Sequence, residues 1–250
     1  MKSPLIKFLA IAALVALASI TAQAQVQTFS TKAGPVNITP ILHATVRIEA
    51  GGKVIYIDPN KPTDYSSMPK ADLILITHEH GDHVDMDGAS IKALTKDGTV
   101  VIATATVSKF ITQATVMANG DSKKWGKFTI DAVPAYNLVR GPAPGKFFHP
   151  MGNGNGYVIT YGGKRFYFSG DTEVTPEMKA LKNIDVAFIC INLPYTMTPE
   201  EAADGVKAFK PKVVIPYHYR AMPATDLAVF QKALEGTNIE VRLLDWYPKA

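Results

Sequence analysis

The stretch LILITHEHGDHVD, residues 73–85, constrains the fold of this chain more than any other part of the sequence. It begins with four aliphatic residues, a pattern typical of a strand that is covered on both faces. Three histidines and three acidic residues then follow between positions 78 and 85. Protein cores rarely contain unpaired carboxylates, whereas histidine is the commonest metal ligand. We therefore predict a strand that ends at a sheet edge, followed by a metal-binding segment.

The chain from residue 25 onwards alternates strand-like and helix-like segments. Two β-branched runs flank Gly51-Gly52, which predicts a hairpin. The other predicted strands are ADLILIT, TVVIAT, KFTIDAVPAY, GYVITYGGKRFYFSGD, IDVAFICIN, PKVVIPYHY and IEVRLLDW. The predicted helices are DMDGASIKALTK, TDLAVFQKAL and TPEEAADGVKAF, the last with a capping box from Thr198 to Glu201. We expect an α/β (α+β) fold with mixed sheets, and a single domain over residues 25–250 because no long polar linker divides them.

The first 24 residues have the features of a signal peptide. The basic start MKSPLIK precedes the apolar run FLAIAALVALASI, and Ala22-Gln23-Ala24 provides the small residues of a cleavage site. The apolar run has about 13 residues, whereas a membrane-spanning helix needs roughly 20. We expect cleavage after Ala24, a periplasmic or secreted protein, and no membrane anchor in the mature chain.

Composition excludes several classes of protein. The chain is 47% hydrophobic and 19% charged, which suits a globular fold and not a disordered one. Without Lys2 and Lys7 of the leader, 24 basic residues remain against 22 acidic ones, and no run of Lys or Arg exceeds two. We therefore expect no nucleic-acid partner. The single cysteine, Cys190, excludes a disulfide framework and is predicted to be a buried strand residue.

The histidine motif can begin two metal sites. His78 and His80 are two residues apart, so in an extended segment they point to the same side. A turn at Gly81 then allows Asp82 and His83 to project towards a neighbouring position. Imidazole nitrogens and carboxylate oxygens are the usual ligands of zinc and similar metals. Four donors do not complete two tetrahedral sites, so further ligands must come from elsewhere in the chain.

Two strand ends in the second half of the chain offer such ligands. Asp171 ends the strand-like segment RFYFSGDT, and His218 ends VVIPYHY. The alternative for Asp171 is a turn residue or helix cap, and the alternative for His218 is a histidine packed in the core. Because both follow strands in a chain that already carries the first motif, we predict that both bind metal.

Four motifs together resemble those of the metallo-β-lactamase superfamily. YIDP, THEHGDH, SGDT and IPYHY occur in that superfamily's order across about residues 43–220. The segment NLPYTMTPEEAADGVKAFKPKVVIPYHY is similar to the superfamily's lactonase-like metal-dependent hydrolases. The resemblance implies a four-layer αββα sandwich with two mixed sheets and a two-metal site at one edge. The ions would be zinc, with manganese or iron as alternatives.

The resemblance also implies roles for individual residues. The implied metal ligands are His78 and His80 for the first ion, Asp82, His83 and His218 for the second, and Asp171 as a bridge between the two. Asp58 of YIDP matches an outer carboxylate that orients a ligand histidine through its other ring nitrogen.

One position departs from the superfamily's pattern. Many members place a third histidine for the first ion where this chain has AVPAYN, ending in Asn137. The nearest histidine is His149, twelve residues later. We favour His149 as the replacement ligand; the alternative is that neither residue binds and the first ion is poorly held.

A few residues near these motifs are candidates for contact with a substrate. His43 resembles a histidine that faces the site in lactonase-like members, and its alternative is a role within its own hairpin. Tyr195, and Tyr219 with Arg220 after His218, are the other candidates, with a purely structural role at the rim as the alternative.

The mechanism implied by the resemblance is hydrolysis without a protein nucleophile. Two ions would share a water molecule and present hydroxide to the substrate, and Asp82 would bind metal and orient the hydroxide. We expect a small-molecule ester or lactone as substrate. The alternatives are a β-lactam, a phosphodiester, or a non-catalytic metal-binding scaffold. Exported β-lactamases of this superfamily generally lack the bridging aspartate, and the near-neutral charge disfavours phosphodiesters. The oligomeric state is left open.

Overall fold

The computed structural model of the chain describes residues 25–220 and 224–247. The predicted signal peptide, residues 1–24, lies outside the described residues. Two seven-stranded sheets pack against each other, and helices cover the outer face of each sheet. The predicted four-layer αββα fold is therefore confirmed. Within the described ranges, no helix has the length and apolar character needed to cross a membrane.

The strands of the first sheet follow chain order: β1 (Gln27–Thr31), β2 (Gly34–Leu42), β3 (Thr45–Ala50), β4 (Lys53–Ile57), β5 (Leu73–Leu75), β6 (Val100–Ala103) and β7 (Thr115–Val116). The strands of the second sheet also lie in chain order: β8 (Ser122–Trp125), β9 (Phe128–Ala135), β10 (Gly154–Tyr161), β11 (Lys164–Phe168), β12 (Val186–Cys190), β13 (Val213–Tyr217) and β14 (Glu240–Val241). The helices are α1 (Ala89–Leu94), α2 (Pro176–Ala180), α3 (Pro199–Phe209) and α4 (Ala224–Ala233), and a short 3₁₀ turn spans Val107–Lys109.

Both sheets are mixed in the same way. The first sheet is antiparallel from β1 to β4 and parallel from β4 to β7. The second is antiparallel from β8 to β11 and parallel from β11 to β14. Parallel strands bring their carboxyl ends to one edge of a sheet, where open α/β sheets bind ligands.

The core lies mainly between the sheets. Ile48 and Ile55 of the first sheet share a buried cluster with Val158 and Phe166 of the second. A separate cluster packs Ile91 of α1 against the outer face of the first sheet. Cys190 lies fully buried in β12 as predicted, and burial raises the pKa of its thiol to about 12. This thiol is therefore protonated at neutral pH and unsuited to act as a nucleophile.

Local sequence signals predict several elements correctly. The hairpin between β3 and β4 turns at Gly51 and Gly52, whose φ values of 57° and 73° favour glycine. At the start of α3, the Thr198 hydroxyl accepts from the Glu201 N–H at 3.1 Å, and the Glu201 carboxylate accepts from the Thr198 N–H at 2.8 Å. The predicted hairpin and capping box are thus confirmed.

Other boundaries differ from the prediction. The hairpin of β1 and β2 was not predicted, because Pro35 and Pro40 disrupt the pattern of a strand. The strand predicted at IEVRLLDW is reduced to Glu240–Val241. Helix α1 begins at Ala89 and not near Asp85, because Gly88 takes a left-handed conformation with φ 64° immediately before it.

Candidate metal centre

Loops at the ends of strands bring the predicted ligands of both sheets together. His78 follows β5 of the first sheet, while Asp171 follows β11 and His218 follows β13 of the second. His149 lies in the loop before β10. All four side chains are buried, with no more than 5% of their surface exposed. The centre therefore lies where the two sheets meet, although the ligands are far apart in sequence.

His78, His80 and His149 form the first group. Their donor atoms lie within 4.8 Å of one another, and Nε2 of His78 is 3.1 Å from Nδ1 of His80. Nε2 of His149 lies 3.3 Å from Oδ2 of Asp171. The structure thus places three imidazoles and one carboxylate oxygen around one point.

His83, His218 and Asp82 form the second group. Nε2 of His83 is 2.9 Å from Nε2 of His218. Oδ2 of Asp82 lies 3.5 Å from the same nitrogen of His218, and Oδ1 of Asp171 lies 3.5 Å from Nε2 of both histidines. Asp171 therefore directs one carboxylate oxygen to each group.

The chemistry of these donors suits divalent metal ions. Two imidazole nitrogens 2.9 Å apart repel each other unless a proton or a cation lies near their lone pairs. Nε2 of His149 and Oδ1 of Asp171 are buried and have no hydrogen-bond partner among the described residues. Buried polar atoms are rarely left without partners, and nitrogen and carboxylate donors in this number suit zinc or a similar ion.

Asp58 supports the second group from outside. Its Oδ2 lies 2.8 Å from Nδ1 of His83, so it accepts the ring proton and leaves Nε2 directed at the centre. Thr77 holds Asp58 in turn, since its N–H donates to Oδ1 at 2.8 Å and its hydroxyl donates to Oδ2 at 2.7 Å. The structure thus places Asp58 behind His83, hydrogen-bonded to its Nδ1.

Asn137 lies behind His149 and not beside the metal position. Its Oδ1 accepts from the backbone N–H and from Nδ1–H of His149, both at 2.7 Å. Its amide group donates to the carbonyl oxygen of Tyr195 at 2.9 Å. Of the two candidates for the third position, the structure places His149 in the first group, and Asn137 forms a hydrogen bond to its ring.

Charges in the centre shift the pKa values of its members. Burial acts to raise the pKa of Asp171, but His218 and His83 hold it well below its usual range. Burial lowers the pKa of His78 well below its ordinary value. Burial also acts to lower the pKa of His83, yet the carboxylates of Asp171 and Asp58 raise it well above that value. The buried carboxylates therefore require nearby positive charge, which protons or metal ions can supply.

A family model described as the beta-lactamase superfamily domain matches residues 37–218. This range includes every residue of the two histidine groups. The chain belongs to the metallo-β-lactamase superfamily. The resemblance on which the site residues were assigned is therefore confirmed at the level of the superfamily.

Relatives of this superfamily member are named as metal-dependent hydrolases. A UPF0173 metal-dependent hydrolase of Thermococcus kodakarensis is 34% identical over 213 residues, covering 81% of this chain and 93% of that protein. A solved structure from Parabacteroides distasonis, provisionally named a metal-dependent hydrolase, has a TM-score of 0.84 and 40% identity, covering 90% of this chain and all of that one. A metallo hydrolase of Ignicoccus hospitalis has a TM-score of 0.68 and 26% identity, covering 86% and 97% of the two chains.

A hydrogen-bonded chain in this superfamily member supports Asp82. Nε2 of His43 lies 3.1 Å from Oδ2 of Asp82, and Nδ1 of His43 contacts the hydroxyl of Tyr247. The Tyr247 oxygen accepts from the backbone N–H of Arg220 at 2.7 Å. Burial acts to raise the pKa of Asp82, but hydrogen bonds from His218 and His43 hold it below its usual range. Tyr247 was missed in the sequence, because no local motif surrounds it.

The predicted substrate contacts separate into two kinds. Tyr195 is 36% exposed at the rim, where its ring faces the Arg220 guanidinium at 5.5 Å and the Phe148 ring at 5.0 Å. Tyr219 differs from the prediction: it is buried, and its hydroxyl donates to the Leu244 carbonyl at 2.9 Å. Its side chain therefore packs into the core beside the ring of Tyr247, and Tyr247 in turn contacts His43.

A cleft opens beside the second group. It has a volume of about 550 Å³. The residues that line it are Leu42, His43, Asn60, Lys61, Pro62, Gly81, Asp82, Arg220 and Tyr247. Because Asp82 belongs to both the cleft and the second group, a small molecule in this cleft can reach the candidate metal ligands.

Proposed function

We propose that this superfamily member is a hydrolase with a dinuclear zinc centre that cleaves the ester bond of a lactone or a related small ester. The position of Asp171 supports two ions most directly. Its Oδ2 is 3.3 Å from Nε2 of His149, and its Oδ1 is 3.5 Å from Nε2 of both His83 and His218. A carboxylate with one oxygen directed to each group is suited to hold two ions side by side.

The proposed ligands divide between the two ions. The first ion would be held by His78, His80, His149 and Asp171, and the second by Asp82, His83, His218 and Asp171. When bound, two such ions lower the pKa of a water molecule and polarise the carbonyl oxygen of a substrate. Manganese or iron can replace zinc at sites of this composition.

Asp82 is the proposed proton carrier. Its Oδ2 is occupied by contacts with His43, His218 and Arg220. Its Oδ1 makes no hydrogen bond to any described residue, so this oxygen is free to accept the proton of an attacking water. The water oxygen then bonds to the carbonyl carbon, the ring C–O bond breaks, and the leaving oxygen takes up the proton. The product is a hydroxy acid.

Metal content and hydrolysis measured on one preparation test the proposal. The mature chain, residues 25–250, is purified without chelator, and its metals are quantified by plasma mass spectrometry. We expect about two ions per chain, as in two-metal hydrolases, together with hydrolysis of simple lactones. One ion or none, or two ions without turnover of any lactone or ester, would overturn it. Hydrolysis of nitrocefin would indicate a β-lactamase instead, and hydrolysis of bis-p-nitrophenyl phosphate would indicate a phosphodiesterase.

Isosteric variants make this test specific to the centre. Asp171→Asn keeps the shape of the side chain but removes its charge, so we expect it to lose both metal and turnover. Asp72→Asn is the matched control, because Asp72 pairs with Lys53 and Lys96 away from the centre. If the two variants retain the same metal content and the same turnover, Asp171 does not have the proposed role.

A further inference from the structure

Arg220 is held at the mouth of the cleft from three directions. One guanidinium nitrogen donates to Oδ2 of Asp82 at 2.5 Å. The guanidinium lies over the ring of Tyr195 at 5.5 Å, and the backbone N–H of Arg220 donates to the Tyr247 hydroxyl at 2.7 Å. Its backbone φ of 45° is left-handed, an uncommon conformation for a non-glycine residue. Contacts with Asp82 and Tyr195 therefore direct the guanidinium, and the bond to Tyr247 positions the backbone that carries it.

Most of the hydrogen-bonding capacity of this guanidinium is unused. An arginine carries five N–H donors, and among the described residues Asp82 is the partner of the Arg220 side chain. The side chain is 51% exposed, and it lines the cleft. Since Tyr195 covers one face of the guanidinium, the edge remains available for the paired hydrogen bonds that arginine forms with carboxylates.

The charges around the cleft favour one additional negative group. Lys61, the other cation in the lining, is already paired with Asp87 at 2.8 Å. Two divalent ions carry more positive charge than Asp58, Asp82 and Asp171 supply as negative charge, so Asp82 cannot neutralise Arg220 as well. A metal-loaded centre therefore leaves the charge of Arg220 uncompensated.

We propose that Arg220 binds a carboxylate of the substrate, so that the enzyme prefers lactones or esters that carry a carboxylate a few bonds from the scissile carbonyl. This inference rests on the hydrolase function proposed above. Oδ2 of Asp82 contacts both Arg220 and His218, so an anion bound to Arg220 would lie close to a carbonyl held at the second group. A single cation whose charge the metal-loaded centre leaves uncompensated matches the single charge of a carboxylate better than the double charge of a phosphate. The apolar lining from Leu42 and Pro62 suits a short carbon skeleton.

A matched pair of lactones tests the preference. The substrates are γ-butyrolactone and γ-carboxy-γ-butyrolactone, and the measured quantity is the ratio of their kcat/KM values. We expect the wild type to favour the carboxylated lactone. Arg220→Met should lower the ratio about 10- to 100-fold, the usual effect of losing hydrogen bonds to a charged group. Most of this loss should appear in KM, and Arg220→Lys should restore part of it.

A second arginine provides the control. Arg242 lies over the ring of Phe29 at 5.1 Å and pairs with Glu240, and it is not part of the cleft lining. Arg242→Met should leave the ratio unchanged. If Arg220→Met reduces both substrates equally, Arg220 acts only by positioning Asp82, and the inference is wrong. A wild type with no preference for the carboxylated lactone would overturn it equally.

Binding of the products separates this inference from the hydrolase proposal. If two ions are bound but no lactone or ester is hydrolysed, the proposed function fails. Isothermal titration with α-hydroxyglutarate and γ-hydroxybutyrate, the two hydrolysis products, then tests anion recognition without turnover. Tighter binding of α-hydroxyglutarate that disappears in Arg220→Met would support the carboxylate site, and equal binding of the two products by the wild type would overturn it.

Discussion

At His149, the protonation of one ring nitrogen decides what the other can bind. Oδ1 of Asn137 accepts from Nδ1–H at 2.7 Å, so the neutral ring presents the lone pair of Nε2 to the first group. The same oxygen accepts from the backbone N–H of His149, which fixes the ring and its backbone together. An amide oxygen carries no full negative charge, so Asn137 orients the His149 ring by hydrogen bonding alone, whereas Asp58 also places a negative charge beside His83.

Removal of this amide should weaken the binding of one of the two proposed ions. Asn137→Ala leaves Nδ1 without its partner, and losses of such outer contacts typically reduce metal affinity about 10- to 100-fold. Asn137→Asp should retain the affinity, because a carboxylate can accept the same proton. Competition with a chromophoric chelator measures both dissociation constants. Asn37→Ala, on β2 where Asn37 accepts from Thr28, is the control. If Asn137→Ala binds metal as tightly as the wild type, Asn137 does not support metal binding through His149.

How far single residues could be predicted depends on whether their contacts are local. His78, His80, Asp82 and His83 lie within six positions, so their spacing alone indicates a shared site. His149 could be proposed only by elimination, and its contact with Asn137 depends on how two loops meet. Tyr247 could not be predicted, because its contact with His43 joins residues 204 positions apart.

At the scale of elements, a buried carboxylate fixes the loop that carries Asn137. Glu173 accepts from the N–H groups of Leu138, Val139 and Arg140 at 2.8, 3.0 and 2.9 Å. Arg140 then joins this loop to the start of α3, through its bond to Glu201 at 2.7 Å. Charged hydrogen bonds therefore tie this loop to Glu173 and to the start of α3.

Loss of Glu173 should destabilise the protein and disturb the centre. Glu173→Ala leaves three backbone donors without their acceptor, and we expect a decrease of about 2 kcal/mol in the free energy of unfolding. Urea denaturation measures it. Glu177→Ala is the control, because Glu177 accepts only from the Tyr136 hydroxyl, at 3.0 Å, among the described residues. A loss in Glu173→Ala no larger than in the control would show that water replaces the carboxylate at this loop.

Elements were predictable where their signals are local. The capping box at Thr198 and the glycines at 51 and 52 act within a few residues, and both appear as predicted. The ends of strands were less predictable, because they depend on which neighbour is present. Strand β14 stops after Val241, where its pairing with β13 ends, although the apolar pattern continues to Trp246.

At the scale of the molecule, the metal centre joins the two sheets. His78, His80, Asp82 and His83 follow a strand of the first sheet, whereas His149, Asp171 and His218 belong to loops of the second. Each proposed ion therefore has ligands from both sheets. Bound metal should stabilise the packing of the sandwich, because ions that bind only the folded state shift the unfolding equilibrium towards it.

Metal removal should therefore lower the thermal stability of the whole domain. At a free metal concentration about 1,000 times the dissociation constant, binding contributes about 4 kcal/mol, which for a chain of this size corresponds to a decrease in Tm of about 10 °C on chelation. Calorimetry before and after treatment with EDTA, and again after zinc is restored, measures the change. Asp171→Asn should begin near the lower Tm and respond little to the chelator, whereas Asp72→Asn should respond like the wild type. If the wild type loses its metal without a change in Tm, the ions do not hold the two sheets together, and their role is confined to the chemistry of the site.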